Sequence, residues 1–85
     1  FPILEQIVNG KKIAWFDNAA TTQKPWTVIH TLSEYYSKIN SNIHRGAHTL
    51  AARATDAFEN ARTKVQKFIN ASSSGEIVLV RGTTE

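Results

Sequence analysis

The residues best suited to chemistry sit in three short stretches, and the last five, "RGTTE", are the most suggestive. They follow the apolar run "EIVLV". Gly82 lets the backbone come close to a ligand, and the N–H groups of Thr83 and Thr84, at the positive end of a starting helix, make an anion cradle. Glu85 would add a carboxylate to the first turn of that helix, where the macrodipole favours it. A phosphate suits such a cradle. The competing reading is that Thr83 or Thr84 simply caps a helix, and the tetrapeptide alone does not decide between them.

The second stretch, "NIHRGAHTL", holds His44, Arg45 and His48. Two histidines four apart would share a helical face, but Gly46 and the preceding asparagines argue against helix, and no cysteine or nearby carboxylate supplies a third metal ligand. An imidazole in a loop is otherwise an acid, a base, a ring packed on a planar ligand, or a structural group. The third stretch is "DNAATT", in which Ala19 and Ala20 give a small, backbone-exposed surface able to meet a substrate carboxylate through N–H groups. Its plainer reading is a tight connection. His30 lies off the main apolar face of the helix that contains it and carries no assigned function. No metal site is expected.

These stretches need elements to hold them. Asn9-Gly10 between two apolar segments is the strongest two-residue signal for a type I′ hairpin turn, because both positions require positive φ. The expected hairpin pairs residues 5–8 with 12–16. Pro25 suits a helix start, and Val28, Ile29, Leu32, Tyr35, Tyr36 and Ile39 recur at helical steps over 26–39. Periodicity returns at Leu50, Ala54, Ala57, Phe58, Ala61, Val65, Phe68 and Ile69, a second helix of about 20 residues that the stretch 71–75 should end. "EIVLV" has the composition of a strand buried on both faces of a parallel sheet. Its partners are expected in sequence outside these residues, because no other run here is like it.

Composition narrows the classes. The 85 residues are 41% apolar and 20% charged with no cysteine, which is ordinary for a globular chain and excludes disulfides and thiolate metal sites within it. A chain of this size buries only about 60 to 65% of its unfolded surface. The formal charge of +3 comes from ten scattered basic residues, a poor footprint for nucleic acid, which gathers such residues on one face. No run is long enough to span a bilayer and no signal peptide is evident, so no membrane partner is expected and a cytoplasmic location is. The Asn70-Ala71-Ser72 sequon is then idle.

Taken together, "FDNAATTQKP", "NSNIHRGAHTLAARATDAFENAR" and "EIVLVRGTTE", in this order and spacing, resemble the N-terminal part of the SufS-type cysteine desulfurases. These form a group within the class V aminotransferase family of pyridoxal-phosphate enzymes. The resemblance covers essentially the whole chain. It implies an α/β fold of the type I aminotransferase kind: a large domain on a mainly parallel seven-stranded sheet, a small domain from both chain ends, and a homodimer. Residues 1–85 would be an N-terminal segment of it: a hairpin, two helices and one strand. The implied reaction takes sulfur from L-cysteine, giving L-alanine and an enzyme persulfide handed to an acceptor protein for iron–sulfur cluster assembly. The cofactor supplies an electron sink and the protein supplies orientation and proton transfers.

Residue by residue, the resemblance puts Thr83 and Thr84 at the cofactor phosphate and Ala19 and Ala20 beside the substrate. His44 and Arg45 fall in a loop near the active site and the dimer interface, and Glu85 at an interface position next to the cofactor. The cofactor-binding lysine, the aspartate on the pyridine nitrogen, the histidine stacked on the ring, the substrate-carboxylate arginine and the sulfur-accepting cysteine would all lie beyond position 85. The segment alone is therefore expected to be inactive. Two alternatives remain open: a selenocysteine lyase or other class V enzyme, and a non-catalytic dimerisation or binding module.

Overall fold

The computed structural model describes residues 1–85, which divide into two compact units, Phe1–Lys38 and Ile39–Glu85. The first unit opens with a 3-10 turn, Pro2–Glu5, and a two-stranded antiparallel hairpin of β1 (Ile7–Val8) and β2 (Lys11–Lys12). Ile7 pairs with Lys12 and Val8 with Lys11, so Asn9 and Gly10 form the two-residue turn. Their φ angles of 52° and 75° are both positive, as a type I′ turn demands. The ladder is shorter than expected. Glu5 belongs to the 3-10 turn and residues 14–16 lie outside the pairing, which reaches no further than the Ile13 N–H donated to the Gln6 carbonyl at 3.4 Å. A two-stranded ribbon has no third strand to prolong it.

Helix α1 runs Trp26–Glu34, with the extended Pro25 as its N-cap accepting the N–H groups of Val28 and Ile29. It continues without a break into a π-helical stretch, Tyr35–Ile39, so the expected helix over 26–39 forms with a wider final turn. Glu34 accepts from Lys38 Nζ at 2.7 Å across that join, and this bond holds the Glu34 carboxyl below its ordinary value. None of the α1 residues is buried.

The second unit is organised by α2, Thr49–Phe68. Its N-cap is His48, whose Nδ1 accepts the Ala51 N–H at 3.2 Å and so satisfies one of the otherwise unpaired first-turn donors. Its C-terminal end is a Schellman motif: Asn70 takes a φ of 58°, the Ala71 N–H reaches the Gln66 carbonyl and the Asn70 N–H the Lys67 carbonyl. The helix therefore stops on Asn70, ahead of the Ala71–Gly75 stretch that composition favours. Ala51 and Ala54 on α2 are each 1% exposed and, with Ile77, make up the buried apolar set. A 3-10 turn, Ser74–Glu76, closed by a Ser73 capping box, packs on α2.

The expected strand at "EIVLV" does not form. Ile77 is extended and buried, but no ladder includes it, and Val78, Leu79 and Val80 are exposed. The physical reason is that a strand is stabilised by a hydrogen-bonded neighbour, and no other stretch of these residues supplies one. The helix start expected at residues 82–85 is absent too. Those residues make a single turn, closed by the Glu85 N–H on the Gly82 carbonyl at 3.2 Å. No helix here is long and apolar enough to cross a membrane.

Candidate functional site

The C-terminal turn carries Thr83, Thr84 and Glu85. Both threonines are exposed, and neither their N–H groups nor their hydroxyls have a partner in the chain. A Cβ at Gly82 would meet nothing within 4 Å. The Glu85 carboxylate folds back on Arg81, accepting from its backbone N–H at 2.9 Å and from Nε at 2.6 Å. Those two bonds, the side-chain one foremost, hold the Glu85 carboxyl below its ordinary value. The donor set, two hydroxyls and two open N–H groups beside an unobstructed glycine, fits a phosphate of the kind pyridoxal phosphate carries. Arg81 adds no free charge, because Glu85 neutralises it.

The loop at residues 40–48 carries His44 and Arg45, both exposed. His44 is at the centre of a γ-turn: the Arg45 N–H donates to the Ile43 carbonyl at 2.8 Å while His44 takes a φ of 63°. Positive φ at the centre marks the rarer, strained form of this turn. Three contacts from α2 hold it there. The His44 N–H donates to Thr55 Oγ1 at 2.9 Å, its Nε2 lies 2.8 Å from Glu59 Oε1, and its ring meets Phe58 edge to face at 5.6 Å.

Glu59 is held in turn. Both its oxygens accept from Arg62 Nη1 at 3.2 Å, and Arg62 Nη2 donates to the Ser74 carbonyl at 2.8 Å. The hydrogen bond from His44 is the main cause of a Glu59 carboxyl held below its ordinary value, with Arg62 adding to it against partial desolvation. An ionised carboxylate only accepts, so the proton of the His44 imidazole facing it is on Nε2. Nδ1 has no partner in the chain.

Gly46 explains how the loop approaches the helix. A Cβ there would overlap the Ala51 methyl outright and come within 3.4 Å of His48 Nε2. Its φ is not positive. Gly46 is therefore needed for close approach to α2 and not for an unusual backbone angle. His48, on the same loop, spends Nδ1 on the helix cap.

Ala19 and Ala20 belong to the first unit, in a turn based on Asp17, whose carbonyl accepts from Ala20 N–H at 3.2 Å and Thr21 N–H at 2.9 Å. The Ala19 N–H is left without a partner in the chain. The segment is braced by the Thr22 hydroxyl on the Asn18 carbonyl and by Trp15 Nε1 on the Thr21 carbonyl.

Within the second unit, the structure gathers His44 with Thr55, Phe58, Glu59 and Arg62. No hydrogen bond joins that group to Thr83, Thr84 or Glu85. Sequence reasoning missed the α2 side chains. The available signal was the i, i+4 and i, i+3 spacing of Thr55, Glu59 and Arg62, which puts the three on one side of the helix.

Family comparison adds to this geometry. A sequence profile of the aminotransferase class-V family matches residues 14–85. The chain belongs to that family. It is 65% identical over 85 residues to a cysteine desulfurase of Synechococcus elongatus and 67% identical over 85 residues to a probable cysteine desulfurase of Mycolicibacterium paratuberculosis. A probable cysteine desulfurase of Staphylococcus aureus is 55% identical over 84 residues. All, or in the last case 99%, of this chain is covered, but it spans only 14%, 12% and 20% of the lengths of those three proteins.

Proposed function

We propose that these residues are the N-terminal segment of a SufS-type cysteine desulfurase that works as a pyridoxal-phosphate homodimer on the type I aminotransferase fold. The observation that carries this reading is the identity of 65 and 67% to cysteine desulfurases across the whole 85 residues. Cysteine and an enzyme thiol become alanine and an enzyme persulfide: the C–S bond of cysteine breaks, a C–H bond forms in alanine, and sulfur joins the thiol as S–S–H. The sulfur then passes to an acceptor protein for iron–sulfur assembly in the cytoplasm. The thiol comes from outside this stretch, which contains no cysteine.

Bound pyridoxal phosphate supplies the electron sink for the reaction. Thr83 and Thr84 hold its phosphate through their hydroxyls and free N–H groups, and Gly82 leaves room for it. Ala19 turns its open N–H toward the substrate carboxylate, since the Ala20 N–H is occupied by Asp17. His44 lies near the substrate and Arg45 and Glu85 at the dimer interface. Each has a physical ground: an exposed imidazole with a free nitrogen, an exposed guanidinium, and a carboxylate already paired with Arg81.

The test is sulfide and alanine release by the intact protein from L-cysteine with a thiol reductant, alongside selenocysteine. A hydrogen bond to a charged group contributes about 1.5–3 kcal/mol. Thr83→Val and Thr84→Val should each weaken cofactor affinity at least roughly tenfold. Turnover of selenocysteine but not cysteine, or unchanged cofactor affinity in both variants, would contradict the reading. The 85 residues by themselves should release no sulfide.

A further inference from the structure

His44 is more tightly determined than an exposed loop histidine needs to be. Its backbone is in the left-handed region at the centre of a γ-turn, a conformation that persists only where the surroundings hold it. The other two non-glycine residues with positive φ are Asn9 and Asn70, whose short amides tolerate that region and which serve a hairpin turn and a helix end. His44 has neither excuse. Its hold comes from α2, which grips the backbone through Thr55 and the ring through Glu59 and Phe58.

We propose that Glu59 and Thr55 are positioning residues for His44, and this rests on the placement of His44 near the substrate argued above. Thr55 Oγ1 donates to the Ala51 carbonyl at 2.8 Å, which orients its lone pairs so that it can accept from the His44 N–H. Glu59, ionised and fixed by Arg62, fixes the Nε2–H tautomer. Nδ1 is then the ring's free acceptor, and the carboxylate and the strained turn fix which way it points. The arrangement follows the logic of a carboxylate that orients a histidine without reacting itself. Arg62 extends the hold to the Ser74 carbonyl, so the imidazole is anchored through two residues, Glu59 and Arg62, to the turn after α2.

The experiment uses the intact protein, labelled with 15N-histidine, and measures cysteine turnover beside the imidazole resonances, with His44 assigned by their loss in His44→Gln. At a pH where the imidazole is neutral, wild type should show the His44 proton on Nε2, and Glu59→Gln should shift that resonance and weaken the tautomer preference. Glu59→Gln and Thr55→Val should each lower kcat/KM about tenfold, the first by losing a bond to a charged group and the second by leaving the His44 N–H without its acceptor. Thr55→Ser, which keeps the hydroxyl, should restore turnover. The double variant Glu59→Gln with His44→Gln should be no worse than His44→Gln alone. Additive losses, a Thr55→Ser variant as poor as Thr55→Val, or an unchanged His44 resonance in Glu59→Gln would overturn the proposal. A wild-type protein that turns over no cysteine would instead overturn the proposed function, while the resonance still decides whether Glu59 holds the ring.

Discussion

Substituting Gly46 by alanine tests the seating of the His44 loop on α2. The added methyl would overlap the Ala51 Cβ, where carbon atoms ordinarily sit about 3.5–4.0 Å apart. It would also press on His48 Nε2 at 3.4 Å and lie 3.7 Å from the Ala51 Cα. Ala51 cannot yield, since it is 1% exposed and part of the helix backbone. The loop must lift instead. Overpacking of this kind costs about 1–3 kcal/mol, and moving the loop also loosens the His48 cap on the Ala51 N–H, a further ~1 kcal/mol. Together about 2–4 kcal/mol of local stability should be lost, which is roughly 30- to 1,000-fold faster amide exchange over the loop and the first turn of α2. Hydrogen exchange of the intact protein, followed by mass spectrometry, reads this directly. Gly82→Ala is the control, because a Cβ there meets nothing and its φ is not positive. Adding Ala51→Gly to Gly46→Ala removes the obstructing methyl and should recover part of the protection, short of the ~1 kcal/mol that glycine costs within a helix. Unchanged exchange in Gly46→Ala, or a double variant worse than both singles combined, would refute the packing argument.

Two further outcomes follow from the same structure. Gly10→Ala meets no steric obstacle but is asked to hold a φ of 75°, so it should cost about 1–2 kcal/mol and speed amide exchange of the Ile7–Lys12 hairpin roughly 5- to 30-fold. The Glu59 carboxyl is held below its ordinary value of 4.5, so its contribution to the loop is complete above that value and disappears as pH falls through the lower folded one. Protection of the loop should therefore persist down to pH 4.5 and fall only below it, and in Glu59→Gln that acid-side loss should vanish from the exchange profile.

Where a rule is local, the sequence was a sound guide. Asn9-Gly10 sits in its turn with both φ angles positive, Pro25 opens α1, and α2 follows the periodicity from Leu50 to Phe68. The misses all involve interactions that composition does not encode. Strand character in Ile77–Val80 is expressed only when another strand bonds to it, and these residues supply none. The stop of α2 turns on one asparagine adopting positive φ, which a run of serines a few residues later obscured. His48, directly before Thr49, caps α2, a role more usually taken by serine or aspartate and so not evident from composition. The hold on His44 was hardest to read, since Glu59 lies 15 residues away and reaches the loop only because Gly46 permits it.

That last dependence shows how α2 serves the site. The buried apolar set of the second unit is small, Ala51, Ala54 and Ile77, so burial alone fixes little of the loop. Polar contacts along one side of the helix do the rest. Thr55 takes the His44 backbone, Glu59 takes its ring, and Arg62 binds both Glu59 and the Ser74 carbonyl. Arg62 is thus shared between the loop before α2 and the turn after it. Its loss would free Glu59 from its brace and release the turn at the same time, so effects of changes at Arg62 and Glu59 should not add, as expected of residues in one hydrogen-bonded network. Because each bond in the series is directional, the series fixes orientation as well as proximity, and the burial of small side chains at Ala51 and Ala54 would not do that. An imidazole that must present one particular nitrogen needs the directional kind.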